Sequence, residues 1–301
     1  MTTTIAGRTR KVRRGYGRVA LAFLAPAIVV LVLVRLVPAA SALYGSLTRS
    51  SLLTGQTRFV GWENYAELLG NPDFRGAVGV TVLFTLIINP LQVAIAFALA
   101  VLFTRRLAGV RWWRSLVILP IAVPPAVSAV VWNVIYRPDD GLANAVLSVL
   151  GLPPQPFLTS PDQALAAVIV LLSWVGVGYW MLFLIAGIND VPGELYEAAA
   201  LDGAGPWRKF FHITLPMCRR PLAFVLVADT VSNLLVFAPV QMLTGGGPEG
   251  ATNLLMYDIY TRAYTLGDLG RAQAEVVVLV LLTVVIVAAQ FRMLRGDSEG
   301  A

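Results

Sequence analysis

The chain has 301 residues and a net charge of +6; 57% of its residues are hydrophobic and 13% are charged. An average soluble domain has about 25% charged residues, so this composition excludes an ordinary soluble domain and indicates a membrane protein. The positive charge is typical of the cation excess on the inner side of membrane proteins, and no nucleic-acid partner is expected. Cys218 and His212 are each the sole residue of their type, which excludes an intramolecular disulfide and a zinc site of about four Cys and His ligands.

Six apolar stretches are each long enough to cross a bilayer as a helix, which takes roughly 20 residues. In chain order they lie at 19–42, 77–103, 116–136, 164–188, 222–243 and 272–291. Backbone groups in lipid must be hydrogen-bonded within their own segment, so we expect an all-α membrane protein with six transmembrane helices. The first stretch also has the basic flank of a signal peptide, but its apolar part exceeds the usual length of about 7–15 residues and favours an uncleaved span.

The distribution of Lys and Arg predicts the orientation, because cytoplasmic segments are enriched in these residues. With both termini inside, 16 of the 23 cations are cytoplasmic: six in the N-terminal tail, four in each of the inner loops 104–115 and 189–221, and two at the C-terminal end. The outer loops are then 43–76, 137–163 and 244–271. We therefore predict an N-in/C-in topology.

The inner loop 189–221 has the pattern of two short helices joined by a tight turn. Asp190 and Pro192 are suited to a helix start, and Gly203 is suited to a helix stop. Pro206 then fits the first position of a second, amphipathic helix. From these residues alone, the pair is either a surface element lying on the membrane or a docking surface for another protein.

The same loop resembles the EAA signature of the permease subunits of ATP-binding cassette (ABC) importers. That signature is Glu-Ala-Ala, three residues, Gly, nine residues, Ile, one residue and Leu-Pro, and every spacing is met here. The resemblance implies that this loop couples the chain to a separate ATPase. The implied coupling residues are Glu194, Glu197, Ala198, Ala199, Asp202, Gly203, Ala204, Ile213, Leu215 and Pro216.

The resemblance extends over nearly the whole chain and is closest to the first permease subunit of maltose-type and glycerol-phosphate-type importers. The matching segments are 59–65 in the first outer loop, Leu119-Pro120 with Trp132 and Gly141, and 243–248 after the fifth span. One position departs from the pattern, because relatives often carry Asp after the Phe of span five and here Phe237 is followed by Ala238. The implied organisation is a basic cytoplasmic tail (1–18), a first span with its outer loop (19–76), a permease domain (77–295) and a cytoplasmic C-terminal tail (296–301).

Several partners follow from the resemblance. They are a second homologous permease subunit, two copies of an ABC ATPase, an extracytoplasmic substrate-binding protein and membrane lipid. The chain has no P-loop, since neither Lys11 nor Lys209 follows a glycine, and it has no hydrolase signature. We therefore expect no enzymatic activity and no cofactor in this chain, with ATP and Mg²⁺ held by the partner ATPase. The implied location is the plasma membrane of a bacterium.

Polar and aromatic residues inside the spans are candidates for a substrate path, because burying them in a membrane is costly. Aromatic faces and amide side chains suit a sugar or polyol. Some of these residues are alternatively interfacial aromatics or helix–helix contacts. Asp229 would either line a cavity or pair with an Arg of a partner subunit. The candidates are Asn133, Tyr136, Trp174, Tyr179, Trp180, Asp229, Ser232, Asn233, Phe237 and Gln241.

The function predicted from sequence is half of the translocation path of a binding-protein-dependent importer for a sugar or related polyol. One alternative is the same architecture importing glycerol 3-phosphate or glycerophosphodiesters, whose phosphate would need an Arg or Lys at the cavity. A second is an ATP-independent channel or secondary transporter, which would leave the loop pattern unexplained and for which no inverted repeat is visible. A third is a scaffold without a transport role.

Overall fold

The computed structural model describes residues 12–50, 57–105 and 109–296. Residues 1–11 and 297–301 of the predicted tails and Arg106 of the first inner loop lie outside these ranges. Within them, four helices are long and apolar enough to span a membrane: Ala20–Gly45, Pro72–Phe103, Pro161–Asn189 and Leu269–Met293. Two bent helix pairs, Val110–Ala122 with Pro125–Ile135 and Pro206–Met217 with Arg219–Leu234, bring the number to six if each pair crosses once.

The long helices have the following bounds. The first candidate span consists of α1 (Val12–Leu31), a π-helical turn (Val32–Leu36) and α2 (Val37–Gly45). The others are α4 (Pro72–Phe103), α5 (Val110–Ile118) with a 3₁₀ turn (Leu119–Ala122), α6 (Pro125–Ile135), α8 (Pro161–Asn189), α12 (Arg219–Leu234) and α15 (Leu269–Gly296).

Shorter elements connect them. They are strands β1 (Thr48–Ser50) and β2 (Thr57–Phe59), helices α3 (Glu63–Gly70), α7 (Leu142–Val149), α9 (Gly193–Leu201), α10 (Pro206–Lys209), α11 (Leu215–Met217), α13 (Ala238–Leu243) and α14 (Leu255–Tyr260), a 3₁₀ turn (Phe157–Thr159) and π-helical turns at Phe210–Thr214 and Thr261–Thr265. The described residues also contain one antiparallel strand pair, β1–β2, with Arg49 opposite Arg58, while the chain is predominantly helical, as predicted. The two strands lie in the predicted outer loop 43–76, where backbone groups can form hydrogen bonds between strands because they are not surrounded by lipid.

The predicted span at 116–136 is not one straight helix. Its two halves meet at an angle of 105°. Val123 and Pro124 are extended there, with ψ angles of 123° and 139°, because a residue that precedes proline is pushed out of the helical region. Pro124 and Pro125 therefore break the segment that hydropathy alone had joined.

The predicted span at 222–243 is also interrupted. Helix α12 ends at Leu234 and α13 begins at Ala238, with Phe237 between them at φ −131° and ψ −64°. Pro239 has no N–H to donate, and its ring would clash with the carbonyl four residues earlier. The chain therefore leaves the helix before this proline and restarts with Pro239 in the first turn of α13.

The centre of the bundle is the packing of α4 along α8, with α12 against both. Phe84, Ile88, Leu171, Met181 and Val225 are fully buried there. Lipid tails are as apolar as these side chains, so van der Waals packing, and not removal from water, holds the helices together.

A close approach also joins α8 to α5. A Cβ atom on Gly178 would lie 2.2 Å from the carbonyl oxygen of Val117. Only glycine fits at this contact.

An ion-pair network joins α3 to β1 and α15 at the end of the bundle where α4 begins. Arg49 and Arg271 contact Glu67 at 2.7 and 2.9 Å. The hydrogen bond from Arg49 lowers the pKa of Glu67. Asn64 is fully buried and donates to the carbonyl oxygens of Ser46 and Thr48. The first candidate span is thereby attached to the rest of the bundle at this end.

Candidate functional site

The turn between α9 and α10 follows directly from Gly203. This residue has φ +75°, a conformation that costs little only for glycine. The N–H of Ala204 donates to the carbonyl of Ala199 at 2.8 Å, and the N–H of Gly203 donates to that of Ala200 at 3.1 Å. This is the Schellman pattern of a helix C-terminus, so the predicted helix stop at Gly203 is confirmed.

The boundaries of the two loop helices partly match the prediction. Helix α9 begins at Gly193, with Glu194 in its first turn, and Pro206 occupies the first turn of α10, as predicted. Asp190 is not part of the helix start, because it caps the C-terminus of α8. Pro216 does not end the second helical segment; it lies in the first turn of α11, and the bend follows at Cys218.

The loop has one packed face and one free face. Tyr196 hydrogen-bonds to the Thr214 hydroxyl at 3.0 Å, and Ile213 and Leu215 pack against the core beneath it. The residues of the free face, including Leu201 with 91% of its surface exposed, form a protruding tip. The exposed predicted residues on this tip are Glu194, Glu197, Ala198, Asp202 and Gly203, while Ala199, Ala204 and Pro216 are half-buried.

A second feature is a cavity of about 400 Å³ between α8 and the break that follows α12. Its lining includes four predicted substrate-path residues of the fifth span and Trp180 of α8. The four are Asp229, Ser232, Asn233 and Phe237.

The other predicted path residues do not line this cavity. Tyr136 is buried and donates to the carbonyl of Ala167 at 3.2 Å. The ring of Trp174 lies 5.8 Å from that of Trp132, and Tyr179 packs edge-on against Phe183. Asn133 is half-buried and Gln241 is exposed. These contacts match the alternative of helix–helix packing that the sequence left open, and a role in a substrate path stays a prediction for these residues.

A network of buried amides lies beside the cavity. The side-chain N–H₂ group of Asn233 donates to Asn89 Oδ1 at 2.8 Å, to Gln92 Oε1 at 3.2 Å and to Asp229 Oδ1 at 3.1 Å. Gln92 in turn donates to Ser173 Oγ at 3.4 Å. Sequence reasoning missed Asn89 and Gln92. The available signal was two amide side chains three residues apart in an otherwise apolar span.

Asp229 lines the cavity in this chain, which is one of the two alternatives left open by the sequence. Its side chain is 1% exposed. Asn233 donates to Oδ1 and Trp180 lies against the carboxylate, but Oδ2 accepts no hydrogen bond of normal geometry from the described residues. The wall of the cavity therefore contains a carboxyl group whose Oδ2 atom is itself buried.

A buried ionic cluster lies near the start of α15. Arg262 contacts Glu275 through Nε, and its NH2 atom lies 3.3 Å from Asp258 Oδ2. Asn253 donates to the other oxygen of Asp258 at 3.1 Å. Arg262 falls within the predicted outer loop 244–271, and Glu275 was not among the predicted site residues, although an acidic residue in an apolar span is a visible signal. The cluster joins the turn Thr261–Thr265 to α15.

Comparison with known proteins supports a specific family. Residues 92–295 match the family model described as binding-protein-dependent transport system inner membrane component. The chain is 34% identical over 273 residues to the sn-glycerol-3-phosphate transport system permease protein UgpA of Brucella abortus biovar 1 (strain 9-941), covering 90% of this chain and 93% of that one. It is 33% identical over 269 residues to the trehalose/maltose transport system permease protein MalF of Thermococcus litoralis, covering 88% and 90%.

A solved structure shares the fold. A chain from the crystal structure of a bacterial alginate ABC transporter in complex with alginate pentasaccharide-bound periplasmic protein superimposes with a TM-score of 0.83 at 22% identity, covering 96% of this chain and 97% of that chain. The family match spans more than half of the chain, and both relatives exceed 30% identity over most of their length. This chain therefore belongs to the permease family of binding-protein-dependent transport system inner membrane components.

Proposed function

We propose that this chain forms half of the translocation path of an ABC importer for a sugar or related polyol. The observation that carries this proposal is the cavity beside α12, where Asp229, Ser232 and Asn233 meet the aromatic side chains of Trp180 and Phe237. Hydroxyl groups of a polyol would bond to the carboxylate and amide oxygens, and the ring faces would cover its apolar surface.

The proposed topology has six spans with both termini in the cytoplasm, so each bent pair crosses the bacterial plasma membrane once. The proposed domain boundaries are those predicted from sequence, with 77–295 as the permease domain. The first candidate span has no buried residue in its most apolar window. Lipid or the second homologous permease subunit would cover that surface. A substrate-binding protein would deliver substrate on the opposite side from the tail residues 1–18 and 296–301.

The loop 189–221 is the proposed contact to the ATPase. The protruding tip of α9 carries small alanine side chains and the exposed Leu201, and these would fit a cleft on one of two ATPase copies. The packed face, with Tyr196 bonded to Thr214, would transmit movement of the tip to α8 and α12. ATP and Mg²⁺ would be bound by the ATPase, and this chain would have no enzymatic activity of its own.

A second candidate substrate class is glycerol 3-phosphate or glycerophosphodiesters. The specific observation in its favour is the 34% identity to a permease named for sn-glycerol 3-phosphate transport. The lining of the cavity does not favour it, because it contains the acidic Asp229 and no basic side chain among the described residues.

The test is uptake by proteoliposomes that contain both permease subunits and the ATPase, with the cognate binding protein outside. Titration of the binding protein with candidate sugars, polyols and glycerophosphodiesters would first identify the substrate. We expect uptake to require ATP hydrolysis. Uptake that persists with an ATPase variant unable to hydrolyse ATP would favour a channel or secondary transporter instead.

A further inference from the structure

The lining of the cavity beside α12 contains one acidic side chain and no basic one among the described residues. Among the described residues that line it, Asp229 is the sole acidic side chain, and no Lys, Arg or His is present. Its carboxylate has no ion-pair partner among the described residues, and Trp180 and Asn233 are the side chains that contact it. In a site of low dielectric constant, such a charge acts strongly on any charged molecule that enters.

The lining of the cavity offers the oxygens of Gln92 and Asp229 as acceptors, while the N–H₂ group of Asn89, which has no partner among the described residues, does not line it. The N–H₂ group of Asn233 is already shared by Asn89, Gln92 and Asp229, and that of Gln92 is directed to Ser173. The oxygens of Gln92 and Asp229 keep free lone pairs, since each carbonyl or carboxylate oxygen accepts more than one bond. A ligand with many hydroxyl donors would match these acceptor oxygens.

A phosphate ester has the opposite requirement. Its oxygens are acceptors, and proteins bind them with Arg, Lys or backbone N–H groups. A phosphate group placed in this cavity would meet the Asp229 carboxylate with no cation among the described residues of its lining to offset the repulsion.

We infer that Asp229 is the charge-selecting residue of this cavity, which admits neutral, hydroxyl-rich molecules and rejects phosphate esters and other anions. The inference rests on the proposed function, because it takes the cavity as part of the translocation path. Under this inference, the substrate of this importer differs from the sn-glycerol 3-phosphate for which its UgpA relatives are named.

The charge selectivity of the cavity is measurable without knowing the substrate. The native thiol is removed with Cys218→Ser, and a reporter is introduced with Ser232→Cys. Ser232 is exposed, lines the cavity and lies one turn from Asp229 on the same helix face. In the assembled importer, the reporter is reacted with two methanethiosulfonates of similar size, one with a sulfonate and one with a trimethylammonium group. Both rates are normalised to a free thiol in solution.

We expect the cationic reagent to react faster than the anionic one. Asp229→Asn should lower the ratio of the cationic to the anionic reaction rate by at least about tenfold. This is the size expected when a charge that attracts one reagent and repels the other is removed from a partly screened site. Asp229→Glu keeps the charge and should keep the ratio. Asp139→Asn is the matched control, because Asp139 is exposed and does not line this cavity.

Equal normalised rates for the two reagents at Ser232→Cys would overturn the inference even if Asp229→Asn failed to fold, because that measurement uses the native carboxylate. A ratio unaffected by Asp229→Asn in a folded complex would also overturn it, while leaving ATP-driven import intact. ATP-driven accumulation of sn-glycerol 3-phosphate by the unmodified importer as fast as of a neutral sugar would overturn it as well. Loss of every ATP dependence would instead contradict the proposed function.

Discussion

Substitution of Gly203 tests whether the turn after α9 couples the chain to an ATPase. The residue has φ +75°, and a Cβ atom there would meet nothing within 4 Å. The cost of a side chain is therefore conformational and not steric. A left-handed residue other than glycine costs about 1–2 kcal/mol, and a β-branched side chain costs more.

A cost of about 1–2 kcal/mol lowers the population of the native turn by a factor of about 5 to 30. Asparagine tolerates the left-handed region, so the expected order of ATP-dependent uptake is wild type, then Gly203→Asn, then Gly203→Ala, then Gly203→Val. The matched control is Gly193→Ala in the same loop. Gly193 has no left-handed φ, and its Cβ would also meet nothing within 4 Å.

The assay measures ATP-dependent uptake by proteoliposomes together with copurification of the ATPase. We expect Gly203→Val to lose ATPase or uptake while the permease remains inserted in the membrane, and Gly193→Ala to behave as wild type. If Gly203→Val transports and retains the ATPase as well as Gly193→Ala does, the coupling role of this turn is refuted.

Three further substitutions test other parts of the molecule. Glu197→Lys reverses a charge on the exposed tip of α9 and should abolish ATP-driven uptake without lowering membrane insertion, as judged by uptake and by the amount of protein in the membrane; normal uptake would contradict the coupling role. Arg262→Gln leaves two buried carboxylates without their cation and should destabilise the complex by about 3–5 kcal/mol, seen as a lower unfolding temperature in detergent. The half-exposed Arg271→Gln is its control and should cost no more than about 1 kcal/mol, so equal effects would contradict a buried ion cluster. Asn233→Leu removes the shared donor of the amide network and should abolish uptake with protein levels preserved, whereas unchanged uptake would favour a scaffold without a transport role.

Local rules predicted those features that depend on adjacent residues. The helix stop at Gly203 and the restart at Pro206 follow from backbone geometry within a few residues, and both are present in the structure. Pro125 and Pro239 lie at the breaks in the third and fifth predicted spans, but Pro90 lies inside the unbroken helix α4, so a proline alone does not locate a break. Hydropathy averages over a window and does not register a missing N–H, so those breaks were missed.

The candidate site depended on contacts between distant residues. Asn89 and Asn233 are 144 residues apart in sequence and 2.8 Å apart at their hydrogen-bonding atoms. Tyr136 and Asp229 are both polar residues in predicted spans, yet the first bonds to a backbone carbonyl and the second faces a cavity. One-dimensional spacing does not distinguish these outcomes.

The sequence by itself determined the class of molecule, the approximate positions of its apolar helices and the helix–turn–helix form of the loop 189–221. Those features follow from composition, from the length of apolar runs and from backbone restrictions at glycine and proline. The tertiary structure decided which polar side chains share the cavity, where the third and fifth segments bend, and that Arg262 is paired with Glu275. The physical reason is that the packing of α4, α8 and α12 sets the position of each buried polar group relative to the others, and that packing is a property of the assembled helices.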